Sequence, residues 1–396
     1  MNPIVNRFCA VLLGCTIILF SSCNKEDNPV TPVNPPVTGA YIIGTVYYPQ
    51  YSALTNYNFL YPSTDPYGNP VMLSGTISMG PEVTKDNALG LVLYNHYSIF
   101  KADDCPSKGK LDMQDKMRGS GFIVVSPDSY GFGSTANQSQ TYCMARQNAQ
   151  ASVDALLAAR QLLTQAGYRF GDALINIGYS QGAQTAIGVL RHISENNLDI
   201  HFIRTIAGAG PYDLTETYRQ LIAQDAAGRS SNAVSVLLAY NEFAGLGLTY
   251  PEMFREPVLS HVGDWFLSKQ YGRQEIDEMT GKDVKLTDCL APALLDMESS
   301  ASQRLIKVFE ADNLCKGWTP RQDENILLFH SLVDDTVPYE NTTLLYDFLT
   351  KEGVENIELD KGKYGILFED SHTFASLTFI NHTKEWFCDY FGIPQW

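Results

Sequence analysis

Basic residues are scarce in this chain. It carries 28 Lys and Arg against 44 Asp and Glu, a formal net charge of -16 over 396 residues. Such a protein repels a polyanion at almost every face, so we expect no nucleic acid partner. Hydrophobic residues make up 44% of the chain, which excludes a disordered protein and provides for a sizeable core.

Long apolar runs are also lacking. The most N-terminal run, Phe8 to Phe20, follows Arg7 and is too short to span a bilayer comfortably. It ends in Phe20-Ser21-Ser22-Cys23, an arrangement typical of a secretion signal, so we predict a signal peptide over residues 1–22. An uncleaved anchor is the alternative interpretation.

The end of this signal resembles a bacterial lipobox, in which small residues precede a cysteine that becomes the lipidated first residue. The resemblance implies lipid on Cys23 and a lipoprotein anchored in the outer membrane of a Gram-negative bacterium. The following Asn24-Lys25-Glu26-Asp27 is similar to an acidic tag for the cell surface, with a solvated linker as the alternative. Residues 23–39 carry four prolines among Val, Thr and Asn, which favours an extended tether.

Cysteine is scarce as well. Of 8 cysteines, Cys9 and Cys15 leave with the signal and Cys23 takes lipid, so five remain. Five cysteines can form at most two pairs, and no Cys-x-x-Cys or His/Cys spacing indicates a metal site. We expect neither a metal nor a cofactor.

The folded part opens with two β-rich stretches, Tyr41 to Tyr51 and Tyr57 to Met79, which predict antiparallel strands. Further on, nearly continuous apolar runs, typical of strands buried on both faces, alternate with helical patterns. The apolar runs are Leu89 to Tyr94, Phe122 to Val125, Leu174 to Ile177, Phe202 to Ile206 and Ile326 to Phe329, and the helical patterns are Ala145 to Ala166, Gln181 to Ile193 and Asn341 to Leu349. This order predicts an α/β fold with a mostly parallel, doubly wound sheet and antiparallel N-terminal strands.

One segment breaks the alternation of strands and helices. Residues 213–321 are mostly helical in pattern, although a crossover between two strands needs only one helix. We predict a helical cap insertion there, so that the core comprises residues 40–212 and 322–396.

The pentapeptide Gly178-Tyr179-Ser180-Gln181-Gly182 lies between a predicted buried strand and a predicted helix. This context is the one that a nucleophile elbow requires, because the serine sits on a strained turn where side chains two residues away would collide. A tight glycine turn without chemistry is the alternative. If Ser180 is a nucleophile, a histidine held by a carboxylate must take its proton.

An acid and a base follow in the expected order. Asp334 stands four residues before Pro338, directly after a predicted strand, and Asp335 is the alternative acid. His372 follows a later strand and opens the C-terminal helical pattern, whereas His382 lies ten residues into that pattern and is the rival base. The sequence therefore predicts a Ser180, Asp334, His372 triad.

With these residues in place, the chain from about residue 41 resembles an α/β-hydrolase of the secretory lipase and esterase type. The segment from Ser126 to Gly133 is similar to that family's "PDYxGxG" loop, with an extra Ser129. Tyr61 to Thr76 is similar to its N-terminal strands. The resemblance implies hydrolysis of carboxylic esters, with the insertion at the place of the lid.

The resemblance also implies an oxyanion hole. Its first donor should be the backbone N–H of Gln181, and its second the backbone N–H of Tyr97, since Asn95-His96-Tyr97 stands where many relatives have His-Gly. We interpret His96 and Asp128 as residues that hold loops together.

The fold implied by the resemblance brings two cysteine-bearing loops to the same edge of the sheet. We therefore predict a disulfide between Cys105 and Cys143. A second disulfide between Cys289 and Cys315 would close a loop inside the insertion, which leaves Cys388 as a free thiol.

The function predicted from the sequence is that of a lipid-anchored serine hydrolase for small or lipid esters, acting through an acyl-enzyme. A serine peptidase on the same triad and a non-catalytic binding lipoprotein are the alternatives. Aromatic residues of the insertion, among them Phe243, Phe254 and Trp265, should in part pack on the core and in part line an acyl pocket above Ser180.

Overall fold

The computed structural model describes residue 34 and residues 37–225, 227–360 and 371–396. The predicted signal peptide, Cys23 and most of the predicted tether lie outside the described residues. The strands of the described part are β1 Tyr41–Val46, β2 Thr55–Thr64, β3 Pro70–Met79, β4 Ala88–Asn95, β5 Phe122–Pro127, β6 Phe170–Tyr179, β7 Arg204–Gly208, β8 Asn325–Phe329 and β9 Asn356–Asp360.

Helices connect most of these strands. They are α1 Asp112–Lys116, α2 Ala145–Gln165, α3 Gln181–Glu195, α4 Leu214–Gln224, α5 Ser230–Phe243, α6 Tyr250–Met253, α7 Val258–His261, α8 Arg273–Thr280, α9 Leu286–Cys289, α10 Pro292–Leu295, α11 Ser300–Phe309, α12 Glu340–Lys351 and α13 Ser371–Phe391. No helix among the described residues is both long and apolar enough to cross a membrane.

The strands form one mixed sheet in the order β1-β2-β3-β5-β4-β6-β7-β8-β9. Pairing is antiparallel from β1 through β3 to β5. Pairing is parallel from β5 through β4 to β9. The predicted α/β architecture is confirmed, because the long apolar runs form the parallel strands and the N-terminal stretches form the antiparallel ones.

Alternate residues of the central strands supply two separate cores. In β4, Leu91 and Leu93 pack with α2 and α3 on one face of the sheet, whereas Val92 and Tyr94 pack with α13 on the other. This period of two follows from the pleat of a strand. Since both faces are covered by helices, the strand has to be apolar throughout.

The chain between β7 and β8 folds as the helices α4 to α11. Leu237, Phe254 and Phe309 of these helices belong to one hydrophobic cluster, which also takes in Phe100 and the stretch from Tyr142 to Met144. Buried polar contacts join the α4–α11 segment to the rest of the chain. The Lys269 ammonium, 5% exposed, donates to the backbone carbonyls of Gly131 and Gln138. The Tyr240 hydroxyl donates to the Cys143 carbonyl at 3.1 Å.

The two predicted disulfides are wrong. Cys105, Cys143, Cys289 and Cys315 are free thiols in the structure, as is Cys388. Cys105 packs with Ile99 and Phe132, whereas Cys143 packs in the cluster of the α4–α11 segment. Cys289 lies in that same cluster, while Cys315 packs against the core of the sheet. Each predicted pair is therefore divided between two hydrophobic clusters.

A protein that begins at residue 24 contains five cysteines. We predict that all five react as thiols after denaturation without reductant. Native protein should react slowly at Cys105, Cys143 and Cys289, because these are buried and burial raises the pKa of Cys105 to about 12. Titration with a chromogenic disulfide in guanidinium checks the number. A count of one would restore both disulfides, and a count of three would restore one of them.

Glu324, which precedes β8, gives a prediction about pH. Burial raises the pKa of this carboxyl from 4.5 to about 7. Because the folded state holds the proton more tightly than the unfolded state, this group should lower the free energy of unfolding as pH rises from 4.5 to about 7. The full effect is on the order of 3 kcal/mol.

Replacement of Glu324 by Gln should remove this part of the pH dependence. Urea denaturation at pH 5 and pH 7 measures it as the difference between wild type and Glu324→Gln. The exposed Glu298→Gln is the matched control and should change the difference little. An equal pH dependence in the wild type and Glu324→Gln would refute the assignment.

Candidate active site

Ser180 occupies the turn between β6 and α3, with φ 57° and ψ -125°. A non-glycine residue adopts a positive φ only where its surroundings impose it. Here the crowding is visible on both sides. A side chain at Gly178 would collide with the Gly182 carbonyl, and one at Gly182 would collide with the Asn95 carbonyl. The two glycines allow a turn that presents the serine hydroxyl at the carboxyl edge of the sheet.

His372 lies at the start of α13 and contacts this serine. Its Nε2 is 2.9 Å from the Ser180 hydroxyl oxygen, and its Nδ1 is 2.6 Å from Oδ2 of Asp334. Since a carboxylate only accepts, Nδ1–H donates to Asp334 and Nε2 is left to accept from the serine. The Tyr179 hydroxyl donates to the His372 carbonyl at 2.6 Å, which fixes the histidine backbone beside the turn.

Asp334 is held from several directions in the loop after β8. Its Oδ1 accepts the backbone N–H groups of Thr336 at 2.9 Å and Val337 at 2.8 Å. Burial opposes its ionisation, but His372 and His330 outweigh burial and hold the pKa of Asp334 well below its usual range. The carboxylate is therefore ionised over the working pH range and has a fixed orientation.

The alternative acid and base lie elsewhere in the site region. Asp335 pairs with Arg229 at 2.6 Å, an ion pair between the loop after β8 and the α4–α11 segment. His382 pairs through Nδ1 with Asp360 at 2.6 Å. His372 hydrogen-bonds both Ser180 and Asp334. Neither Asp335 nor His382 takes part in these two bonds.

His330 also belongs to this site, although the sequence does not predict it there. It is fully buried, and its Nε2 lies 3.4 Å from Oδ2 of Asp334 and 3.0 Å from the Val337 carbonyl. Because both of these partners accept, Nε2 carries the proton, and Nδ1 accepts from the Thr342 hydroxyl at 2.6 Å. Its position four residues before Asp334 was the signal available in the sequence.

The loop after β4 borders the turn at Ser180. His96 contacts the Tyr97 carbonyl at 2.8 Å and the Asp128 carbonyl at 3.2 Å. Asp128 accepts from Ser74 at 2.5 Å and from the Ser107 backbone at 2.8 Å. Both side chains thus tie loops together. Gln181, by contrast, opens α3, where the first backbone N–H groups have no partner within the helix.

Tyr97 is anchored by its side chain. Its hydroxyl donates to Asp112 at 2.9 Å. Asp112 also accepts from the Tyr51 hydroxyl at 2.6 Å. The loop that borders Ser180 is therefore held against the first half of the sheet.

Two cavities open on Ser180, and helices of the α4–α11 segment line both. The three aromatics predicted for an acyl pocket are not among the lining residues. Phe243 packs on Tyr67 and Tyr130, Phe254 is 1% exposed within the cluster of its own segment, and Trp265 stacks on His261. That part of the prediction is wrong, since helical spacing does not show which face meets the cavity.

A nucleophile turn at the carboxyl edge of a mostly parallel sheet, followed in the chain by an acid and then a histidine, is the arrangement of the α/β-hydrolase class. The fold and the site therefore define this protein as an α/β-hydrolase. More particularly, the chain belongs to the secretory lipase family, whose sequence profile matches residues 113–391. It is a serine hydrolase of carboxylic esters, in a family of secreted proteins.

Solved structures share the fold at low sequence identity. A protein from Legionella pneumophila aligns with a TM-score of 0.75 at 19% identity, over 89% of this chain and 98% of that one. The rice cell wall degrading esterase LipA from Xanthomonas oryzae aligns with a TM-score of 0.73 at 18% identity, over 89% and 98%. Candida antarctica lipase A aligns with a TM-score of 0.59 at 15% identity, over 82% and 75%. No curated protein matches this chain in sequence.

Proposed function

We propose that the esterase acts through Ser180 as nucleophile, His372 as base and then acid, and Asp334 as the group that orients the histidine. The observation that carries the proposal is the position of His372 between the other two, at 2.9 Å from Ser180 and 2.6 Å from Asp334. His372 takes the serine proton as Ser180 attacks the ester carbonyl, and then gives it to the departing alcohol. Water then attacks the acyl-enzyme. His372 takes the proton of the water and returns it to Ser180, which releases the acid.

The negative oxygen that forms during attack needs donors close to Ser180. We assign the first to the backbone N–H of Gln181, since a helix N-terminus favours a negative charge. The second donor proposed is the backbone N–H of Tyr97, in the loop that packs against Gly182. The contacts of this loop with Asp112 and Asp128 support the rigidity that such a donor requires.

We further propose that residues 213–321 are a cap on a core made of residues 40–212 and 322–396. The hydrophobic cluster formed mainly by α4 to α11 supports this division, as does the ion pair between Arg229 and Asp335 at its border with the site. A cap in this place excludes water from the acyl-enzyme and limits which ester fits.

For the position of the enzyme in the cell, we propose a lipid anchor on Cys23 in the outer membrane of a Gram-negative bacterium. The apolar run that ends in Ser21-Ser22-Cys23 supports it. The Pro-containing stretch to residue 39 would hold the domain away from the membrane, at ~3.1 Å per residue.

Paired substitutions test the proposed triad. Asp334→Asn should lower kcat by about 10⁴-fold, because the amide favours the wrong histidine tautomer. Asp335→Asn is the matched control and should lower kcat only slightly, since it removes an ion pair at the border of the cap. Steady-state kinetics of both variants with a nitrophenyl ester give the comparison. If Asp335→Asn were the more damaging change, the acid would be Asp335.

A substrate panel tests the reaction class. Nitrophenyl esters should be hydrolysed, aminoacyl anilides should not, and Ser180→Ala should remove all but a residual rate from binding and the oxyanion hole. Release of nitrophenol or nitroaniline is followed by absorbance. Cleavage of anilides alone would point to a peptidase, and no cleavage of either series would point to a binding protein.

A further inference from the structure

The two cavities at Ser180 are separated by a hydrogen-bonded chain of side chains. The Tyr142 hydroxyl lies 2.9 Å from the Ser98 hydroxyl and 3.3 Å from Oδ1 of Asn232. Ser98 follows β4 and Asn232 belongs to α5, so the chain runs from the sheet to the insertion. Ser98 and Asn232 line both cavities. An ester bound at Ser180 can therefore place its acyl and alcohol halves on opposite sides of this hydrogen-bonded chain.

The positions of His372 and Gln181 determine which cavity holds the acyl group and which holds the alcohol. The larger cavity contains His372 but not Gln181, whereas the smaller contains Gln181 but not His372. The oxygen of the departing alcohol has to lie next to His372, because that histidine returns the proton to it. The alcohol therefore occupies the larger cavity. The acyl chain extends past Gln181 into the smaller one.

The two cavities differ about tenfold in size. The acyl side measures about 50 Å³ and the alcohol side about 540 Å³. The smaller acyl side favours a short acyl group, and the larger alcohol side accepts a bulky alcohol.

The walls of the cavities show what each half is made of. The acyl side is lined by apolar groups of the α4–α11 segment, among them Leu214, Leu221, Val236 and Phe309. Rings and branched chains also dominate the alcohol side, which contains Tyr94, Phe100, Tyr179, Phe379 and Ile380. Charged side chains of both signs are present there as well, namely Asp104, Lys110, Asp112, Lys116 and Arg273. Apolar walls of this kind select a largely apolar alcohol.

We infer that this enzyme hydrolyses short-chain acyl esters of bulky, largely apolar alcohols, with the acyl group in the cavity beside Gln181 and the alcohol in the cavity beside His372. The inference rests on the proposed roles of Ser180, His372 and Gln181. It reverses the distribution of bulk expected for a lipase that selects long acyl chains.

A pair of isomeric esters tests the inference with molecular composition held constant. 2-Naphthylmethyl acetate carries its bulk on the alcohol, and methyl 2-naphthylacetate carries the same bulk on the acyl group. The acetate should be preferred in kcat/KM by about 100-fold or more, since the naphthyl group does not fit the acyl side. Chromatography of the acid products measures both reactions, with Ser180→Ala as the blank.

Two variants locate the selectivity in the cavities. Leu221→Ala enlarges the acyl side and should shift the preferred acyl length of naphthylmethyl esters upward. Leu377→Trp narrows the alcohol side at a residue that is 56% exposed and can therefore enlarge without repacking. It should lower kcat/KM for 2-naphthylmethyl acetate about 10-fold relative to methyl acetate. Leu344→Trp, on α12 and lining neither cavity, is the matched control.

Equal rates for the isomers, or a preference for the methyl ester, would overturn the inference and leave the esterase proposal standing. So would an unchanged selectivity in both cavity variants. If wild type failed to cleave nitrophenyl acetate as well, the proposed function itself would be wrong, and the inference would fall with it.

Discussion

The strained turn at Ser180 is the constraint on which the rest of the site depends. A side chain at residue 178 or 182 would meet backbone, because α3 starts where β6 ends and the loop after β4 passes over its first turn. This close approach places the Gln181 amide, the Asn95–Ser98 loop and the serine hydroxyl around one point. Both cavities contain Ser180 in their walls, so the position of the turn determines where an ester can react.

Burial and charge hold Asp334 and His372 in place beside the turn. Asp334 is removed from water, and its carboxylate is satisfied by two backbone N–H groups and two histidines. A buried carboxylate with this many donors has one orientation and stays ionised. Its neighbour Asp335 points the other way and pairs with Arg229, so adjacent carboxylates serve the histidine and the insertion separately.

The α4–α11 segment shows why helical patterns alone say little about a pocket. Its apolar residues had to bury a face, and most did so within a cluster of their own. Which few meet Ser180 depended on how helices α4, α5 and α11 pack, so Leu221 and Phe309 reached the cavity and Trp265 did not. The two predicted disulfides are wrong for a similar reason. Loops that leave the same edge of a sheet, or that belong to one segment, can still place their cysteines in different hydrophobic clusters.

Local pattern in the sequence determined the sheet, the nucleophile turn and the order in which serine, acid and histidine occur. These features depend on the periodicity of hydrophobic residues, on the spacing of glycines and on the order of residues in the chain, all of which can be read from the sequence. Tertiary structure alone decided that His330 contacts Asp334. It also decided the sizes of the two cavities, because distances between side chains remote in sequence are set by how whole elements pack.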